Sequence, residues 1–128
     1  MTTDPLDYLS VDDLLEIAAG VIGEFAVRDH GLLASAAARP RTSAFGADAY
    51  STFAGKAAAL MHSIARNHAL IDGNKRLAWA ATRTFCLLNG HDLAFAVDEA
   101  ERLVQSVARG EFEASEIERV LAAHLTFG

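Results

Sequence analysis

Apolar residues recur at helical spacing along almost the whole chain, and this limits the fold class before any motif is considered. Val11, Leu14, Leu15, Ala18, Val21, Ile22 and Phe25 fall three and four apart, forming one stripe on a helix. Phe53, Ala57, Leu60, Met61, Ile64 and Ala65 repeat the pattern, as do Ile117, Val120, Leu121 and Leu125. Alanine is abundant, prolines number two, and runs of β-branched residues are scarce. These features predict an all-α fold, a compact bundle of about six helices with a central buried helix. A length of 128 residues suffices for one continuous core, and 52% apolar residues suit a globular chain. Residues 1–128 are therefore read as a single domain.

Caps and stops set the expected boundaries. Ser10 with Asp13 is a capping box for the first helix, which the Arg28-Asp29-His30-Gly31 run should end. A short helix over 32–38 should stop before Pro40. The segment 39–49 has Pro40, Thr42, Ser43 and Gly46 and little periodicity, so it reads as a surface loop or short irregular hairpin. Helix should resume over 50–67. From 74 to 88 the chain is strongly apolar, with Trp79 and Phe85 expected in the core, so this helix should be buried on most sides. Asn89-Gly90 is its stop. Asp98 with Glu101, and Ser115 with Glu118, should cap the last two helices.

The charge balance removes several classes of function. With 17 acidic against 11 basic side chains the net charge is −6, which gives no cationic field for a nucleic-acid backbone. The apolar stretches are broken by charge well before ~20 residues, too short to span a membrane. The first five residues show no basic region followed by an apolar run, so no secretory leader is expected. One cysteine, Cys86, excludes an internal disulfide and fits a reducing cytoplasm, and its apolar neighbours predict a buried, inert thiol.

The chemistry concentrates in the loop 68–76, His68-Ala69-Leu70-Ile71-Asp72-Gly73-Asn74-Lys75-Arg76. Gly73 and Asn74 stand where one helix has ended and the next begins. A helix start offers unpaired N–H groups and a positive dipole end, a ready anion site. Glycine admits close approach of a phosphate, and Asn74 can cap while donating its amide. Lys75 and Arg76 place two cations in the first turn, against the helix dipole, an arrangement that makes sense when an anion occupies the site. Asp72 supplies one hard carboxylate of the kind Mg²⁺ takes beside phosphate oxygens and water. His68 is the nearby group suited to accept a proton at neutral pH. An anion cradle, a metal carboxylate and a base within nine residues are the parts of phosphoryl or nucleotidyl transfer. Singly, Asp72-Gly73 is an ordinary turn and Asn74 an ordinary cap; their order, followed by two cations, makes the case. His62 lies six residues before His68, on the opposing face of a helix, which argues against a zinc site and for packing near Met61. His30, His91 and His124 have no companion ligands and read as surface or satisfied positions.

In order and spacing this loop resembles the signature of the Doc branch of the Fic/Doc superfamily, the death-on-curing toxins, His-x-Phe-x-Asp/Asn-Gly-Asn-Lys-Arg. The Arg28-Asp29-x-Gly31-Leu32-Leu33 element and the helix order look like the family too. The resemblance implies that His68 deprotonates a target hydroxyl and Asp72 holds Mg²⁺. It also implies that Gly73 and Asn74 bind ATP phosphates by backbone and amide, and that Arg76 pairs with another phosphate. Residues 39–49 match in position the family's flap, which aligns the target peptide. Two departures stand out. Leu70 replaces the usual Phe, which faces the core and anchors the loop. Lys75 stands where AMP-transferring Fic proteins have a second glycine, and its side chain would obstruct the nucleotide's path there. In Doc-type members this change goes with a reversed nucleotide offering its γ-phosphate. The resemblance thus implies a serine/threonine protein kinase acting on a protein such as elongation factor Tu, with AMP transfer to a hydroxyl, or a lapsed binding module, as alternatives. Self-restrained Fic proteins carry Ser/Thr-x-x-x-Glu-Gly/Asn; here Ser10 is followed by Leu14 and Ser115 by Arg119, so a separate antitoxin supplying a helix across the cleft is expected.

Overall fold

The computed structural model describes residues 5–127; residues 1–4, where the absence of a leader was read, and residue 128 lie outside. Among the described residues there are six α-helices: α1 Val11–Ile22, α2 His30–Ala38, α3 Phe53–Asn67, α4 Asn74–Leu88, α5 Val97–Ala108 and α6 Ala114–His124. A 3₁₀ turn, Arg39–Arg41, leads into a hairpin of β1 Ser43–Ala44 and β2 Ala47–Asp48, the second of the two forms, loop or short hairpin, expected at 39–49. A second antiparallel ribbon pairs β3 His91–Leu93 with β4 Leu125–Phe127; nothing in the sequence pattern signalled it. No described helix is long and apolar enough to cross a membrane.

The helix buried on most sides is α3, not α4 as the apolar run at 74–88 led one to expect. From Ala54 to Ala65 every residue of α3 except His62 is buried. Its Ala57, Ala58 and Ala59 let neighbouring backbones approach closely on several faces at once. Helix α4 is amphipathic instead. Leu77, Ala78, Ala81, Phe85 and Cys86 face the core while Lys75, Arg76, Arg83, Leu87 and Leu88 are exposed. Phe85 is fully buried as expected, stacked between Tyr8 (ring centroids 5.9 Å) and Phe53 (5.0 Å). Trp79 is only half-buried, edge-on to Phe95 at 5.4 Å. Cys86 is buried and free, and desolvation pushes its thiol up to about 12.

Several boundaries differ from the sequence expectation. The Ser10–Asp13 capping box forms, with Asp13 N donating to Ser10 Oγ at 3.1 Å and Ser10 N to Asp13 Oδ2 at 2.8 Å. Helix α1 ends at Ile22, with Gly23 at φ 87°, so Phe25 and Arg28 lie beyond it. Helix α3 starts at Phe53 rather than Tyr50, because Thr52 caps it through Gly55 N at 2.9 Å. The caps expected at Asp98/Glu101 and Ser115/Glu118 lie two residues too late. Helix α5 is closed by Glu99 accepting Ala96 N at 3.1 Å, and α6 by Glu116 accepting Glu113 N at 3.0 Å. Glu118 instead accepts the hydroxyl of Thr52, joining α6 to the start of α3.

Candidate active site

Helix α3 ends at Asn67, and His68 follows in the left-handed region at φ 51°, ψ 51°. A left-handed residue at this point reverses the chain, and histidine tolerates it better than most bulky residues do. Arg28 secures the turn: its Nε donates to the His68 carbonyl at 2.9 Å and its Nη2 to the Asn67 carbonyl at 3.2 Å. The carbonyls at the end of α3 thereby gain partners. The chain just before α2 then runs against the loop as a strand-like edge. Arg28 N donates to Ala69 O at 2.7 Å and Ile71 N to Ala26 O at 2.9 Å, with Val27 opposite Leu70. Leu70 is 1% exposed, so leucine fills the core-anchoring position expected of the loop.

Asn74 closes the loop from the other side. Its Oδ1 accepts Leu70 N at 3.0 Å and its Nδ2 donates to Leu70 O, also at 3.0 Å. This buried two-point clasp departs from the sequence expectation. The Asn74 amide is committed to the main chain of the loop, leaving its backbone N–H rather than its side chain for an anion. Gly73 has φ +87°, a conformation that favours glycine, and a Cβ there would lie 2.5 Å from Ile22 Cδ1, so the half-buried Ile22 side chain would have to shift to admit one. Asp72 is exposed, with Oδ1 accepting Gly73 N at 2.8 Å and Oδ2 left free of protein partners among the described residues.

The clasp aims the start of α4 at a cleft. Gly73 is the N-cap and no side chain caps the first turn, which holds no acidic residue. Lys75 and Arg76 are exposed, and neither joins an ion pair among the described residues. The cleft, about 370 Å³, is lined by His68, Asp72, Gly73, Asn74, Lys75 and Arg76, all six of the predicted site residues, with Ile22, Ile71 and Ala108 on its rim. Unpaired N–H groups, two free cations, one carboxylate and one imidazole thus face a common space. That arrangement can hold a polyphosphate and abstract a proton beside it.

The sequence profile of the Fic/DOC family matches residues 8–86, more than half of the chain. The chain belongs to the Fic/DOC family. One relative is Toxin Doc of Mycolicibacterium smegmatis (strain ATCC 700084 / mc(2)155), 50% identical over 121 residues, which are 91% of this chain and 92% of that protein.

Two features beside this cleft were not visible in the sequence. Arg28 acts across 40 positions, and no spacing rule reaches that far. The second is a larger groove, about 610 Å³, that shares Lys75 and Arg76 with the cleft and continues along α4 past Trp79 and Arg83, walled by Phe95, Val97, Ala100, Glu101, Val104 and Gln105. The positions 76, 79 and 83 fall on one helical face, the signal that could have revealed it. His62 does not pack only against Met61: its Nδ1 lies 2.8 Å from Arg39 Nη1. Burial first, then the Arg39 and Arg66 charges, hold its pKa below the usual histidine range, with Glu113 opposing. Arg66 donates Nη1 to the carbonyl of Ala108, on the cleft rim, at 3.3 Å. His91 and His124 are packed among aromatic rings, and His30 starts α2 at the surface.

Proposed function

We propose that this chain, acting as one domain in the bacterial cytoplasm, is the toxin of a toxin–antitoxin pair. In this reading it transfers the γ-phosphate of ATP to a serine or threonine hydroxyl of a translation protein of the elongation factor Tu type. The observation that carries the reading is the uncapped start of α4, which presents free N–H groups, Lys75 and Arg76 to the cleft that also holds His68 and Asp72. The toxin role rests on likeness to the Toxin Doc relative.

The chain's own residues divide the work. The N–H groups of residues 74–76 and the Arg76 guanidinium bind the phosphates and oppose the charge that gathers on them during transfer. The His68 imidazole accepts the target hydroxyl's proton as that oxygen bonds to the γ-phosphorus. The bond from the γ-phosphorus to the bridging oxygen breaks, ADP departs, and His68 releases its proton to solvent. Asp72 offers one free carboxylate oxygen, which fits Mg²⁺ because that ion completes its shell from phosphate and water. Bound there, the ion would neutralise phosphate charge. The groove along α4 has an apolar wall and Trp79 to receive the nucleoside. Lys75 occupies the place where a glycine would open the path for AMP transfer, which favours γ-phosphoryl transfer.

An antitoxin helix is the expected restraint. Ile22 and Ile71, the latter 66% exposed, give the cleft an apolar rim that an amphipathic helix would cover. Expression in a bacterium without the antitoxin tests the proposal. The unaltered chain should arrest growth and His68→Ala, present in equal folded amount, should not. Arrest by His68→Ala would remove the catalytic reading.

A further inference from the structure

Arg39 stands at the root of the arm that runs through the 3₁₀ turn, β1 and β2 to Tyr50, and it is held without an anion. Its Nε donates to Tyr50 Oη at 2.8 Å, and its guanidinium carbon lies 5.5 Å from the centre of the Tyr50 ring. On the α3 side its Nη1 lies 2.8 Å from His62 Nδ1, 2.9 Å from Ser63 Oγ and 3.5 Å from the Ala59 carbonyl. Both Arg39 and His62 are half-buried, and Arg39 joins no ion pair among the described residues. A cation partly withdrawn from water and answered by neutral acceptors alone depends on keeping each of them.

One of those acceptors can become a cation itself. A guanidinium has donors only, so the 2.8 Å contact is a hydrogen bond only while His62 is neutral with its lone pair on Nδ1. Protonation turns Nδ1 into a donor and sets two cations against each other. Arg66, further along α3, adds to that repulsion, and Glu113 at the start of α6 opposes it. The charged residues of α4 and α5 are exposed, and α2 carries only His30 as a titratable group. Elsewhere the arm is tied to α3 by Lys56, whose Nζ lies 3.2 Å from Asp48 Oδ2 and 3.4 Å from the Pro40 carbonyl. Of the side-chain types in these two clamps, histidine is the one that titrates between pH 5 and 8.

We infer that His62 is a proton switch on the arm 39–50: neutral, it fastens Arg39 and the root of the hairpin to α3; protonated, it expels the guanidinium and lets the arm lift. The switch does not depend on which phosphate the cleft transfers. A lifted arm frees the imidazole to take up a proton at its ordinary value of 6.5, whereas the fastened arm resists the proton through burial and the Arg39 charge. Acid therefore favours lifting. At pH 5.5 about ten of every eleven lifted molecules are protonated, so the lifted fraction rises by up to about tenfold from pH 7.5.

Amide exchange on the full chain at pH 7.5 and 5.5, corrected for the intrinsic pH dependence of exchange, reads this lifting. Ala49 N donates to the Thr42 carbonyl at 2.8 Å, closing the base of the hairpin. A two-stranded hairpin is marginal alone, so an arm released from α3 gives up that bond. Protection at Ala49 should fall about five- to tenfold from pH 7.5 to 5.5 while staying well below that of the slowest α3 amides. His62→Gln, which keeps an acceptor for Arg39 and takes no proton, should show equal protection at both values. Unchanged protection at Ala49 in the parent overturns the inference. Protection at Ala49 equal to that of the slowest α3 amides also overturns it, because the arm then opens only with the whole fold. A fall that persists undiminished in His62→Gln assigns the effect to another group and overturns it too. The two parent readings decide even if that variant does not fold.

Discussion

Replacing Asn74 by alanine separates a residue that binds phosphate from one that builds the loop. In the structure its side chain makes two buried hydrogen bonds, both at 3.0 Å, to the N–H and the C=O of Leu70. Alanine removes both partners and leaves two main-chain groups facing a buried void. Each orphaned group costs about 1–3 kcal/mol, so with partial relaxation the loss is about 2–4 kcal/mol. Unfolding entropy is about 2.1 cal/mol/K per residue, or about 270 cal/mol/K for 128 residues, so 1 kcal/mol corresponds to about 4 °C. Asn74→Ala should lower Tm by about 7–15 °C in the absence of nucleotide, measured by calorimetry at neutral pH. Amide exchange at Leu70 should accelerate in the same variant. A Tm within about 2 °C of the parent would refute the clasp and return Asn74 to the role of phosphate ligand.

Other features give shorter tests. Cys86, buried with its thiol pushed up to about 12, should resist a thiol reagent at pH 8 in the folded protein and react fully in denaturant; rapid labelling of the native chain would contradict its burial. His62 binds its proton less readily when folded than its ordinary value of 6.5, so as pH falls below that value the unfolded chain takes up the proton first and stability declines. Urea midpoints at pH 7.5 and 5.5 should therefore differ more for the parent than for His62→Gln, which keeps an acceptor for Arg39; equal differences would exclude His62 as the source. Arg28→Leu should free the His68 turn and lower turnover with ATP binding little changed; unaltered turnover would show that the two main-chain contacts do not position the base.

What the sequence disclosed and what it hid follow from how far each interaction reaches. The box at Ser10 and Asp13 is local, and its residues suffice to specify it. The boxes at the starts of α5 and α6 are equally local, but several acidic residues compete within each stretch, and tertiary contacts choose among them. Glu118 is withdrawn from capping because Thr52, 66 positions away, donates to it. The burial of α3 was underread because alanine contributes little to an apolar stripe yet disappears completely between packed backbones. That His68, Asp72, Gly73, Asn74, Lys75 and Arg76 would share one cleft was legible because the loop brings them together over nine consecutive positions. The individual duties within it were less so: Asn74 has the same identity whether it binds an anion or fastens Leu70, and only the fold shows it fastening Leu70.

In the proposed reaction the cleft passes the terminal phosphate, rather than the nucleotide, of ATP to a protein. Incubating the purified chain and elongation factor Tu with ATP labelled in turn at the γ- and α-phosphate measures this directly. The γ-label should stay on the protein, the α-label should not, and His68→Ala should abolish the signal. Retention of the α-label, or labelling that survives in His68→Ala, would refute γ-phosphoryl transfer by this cleft.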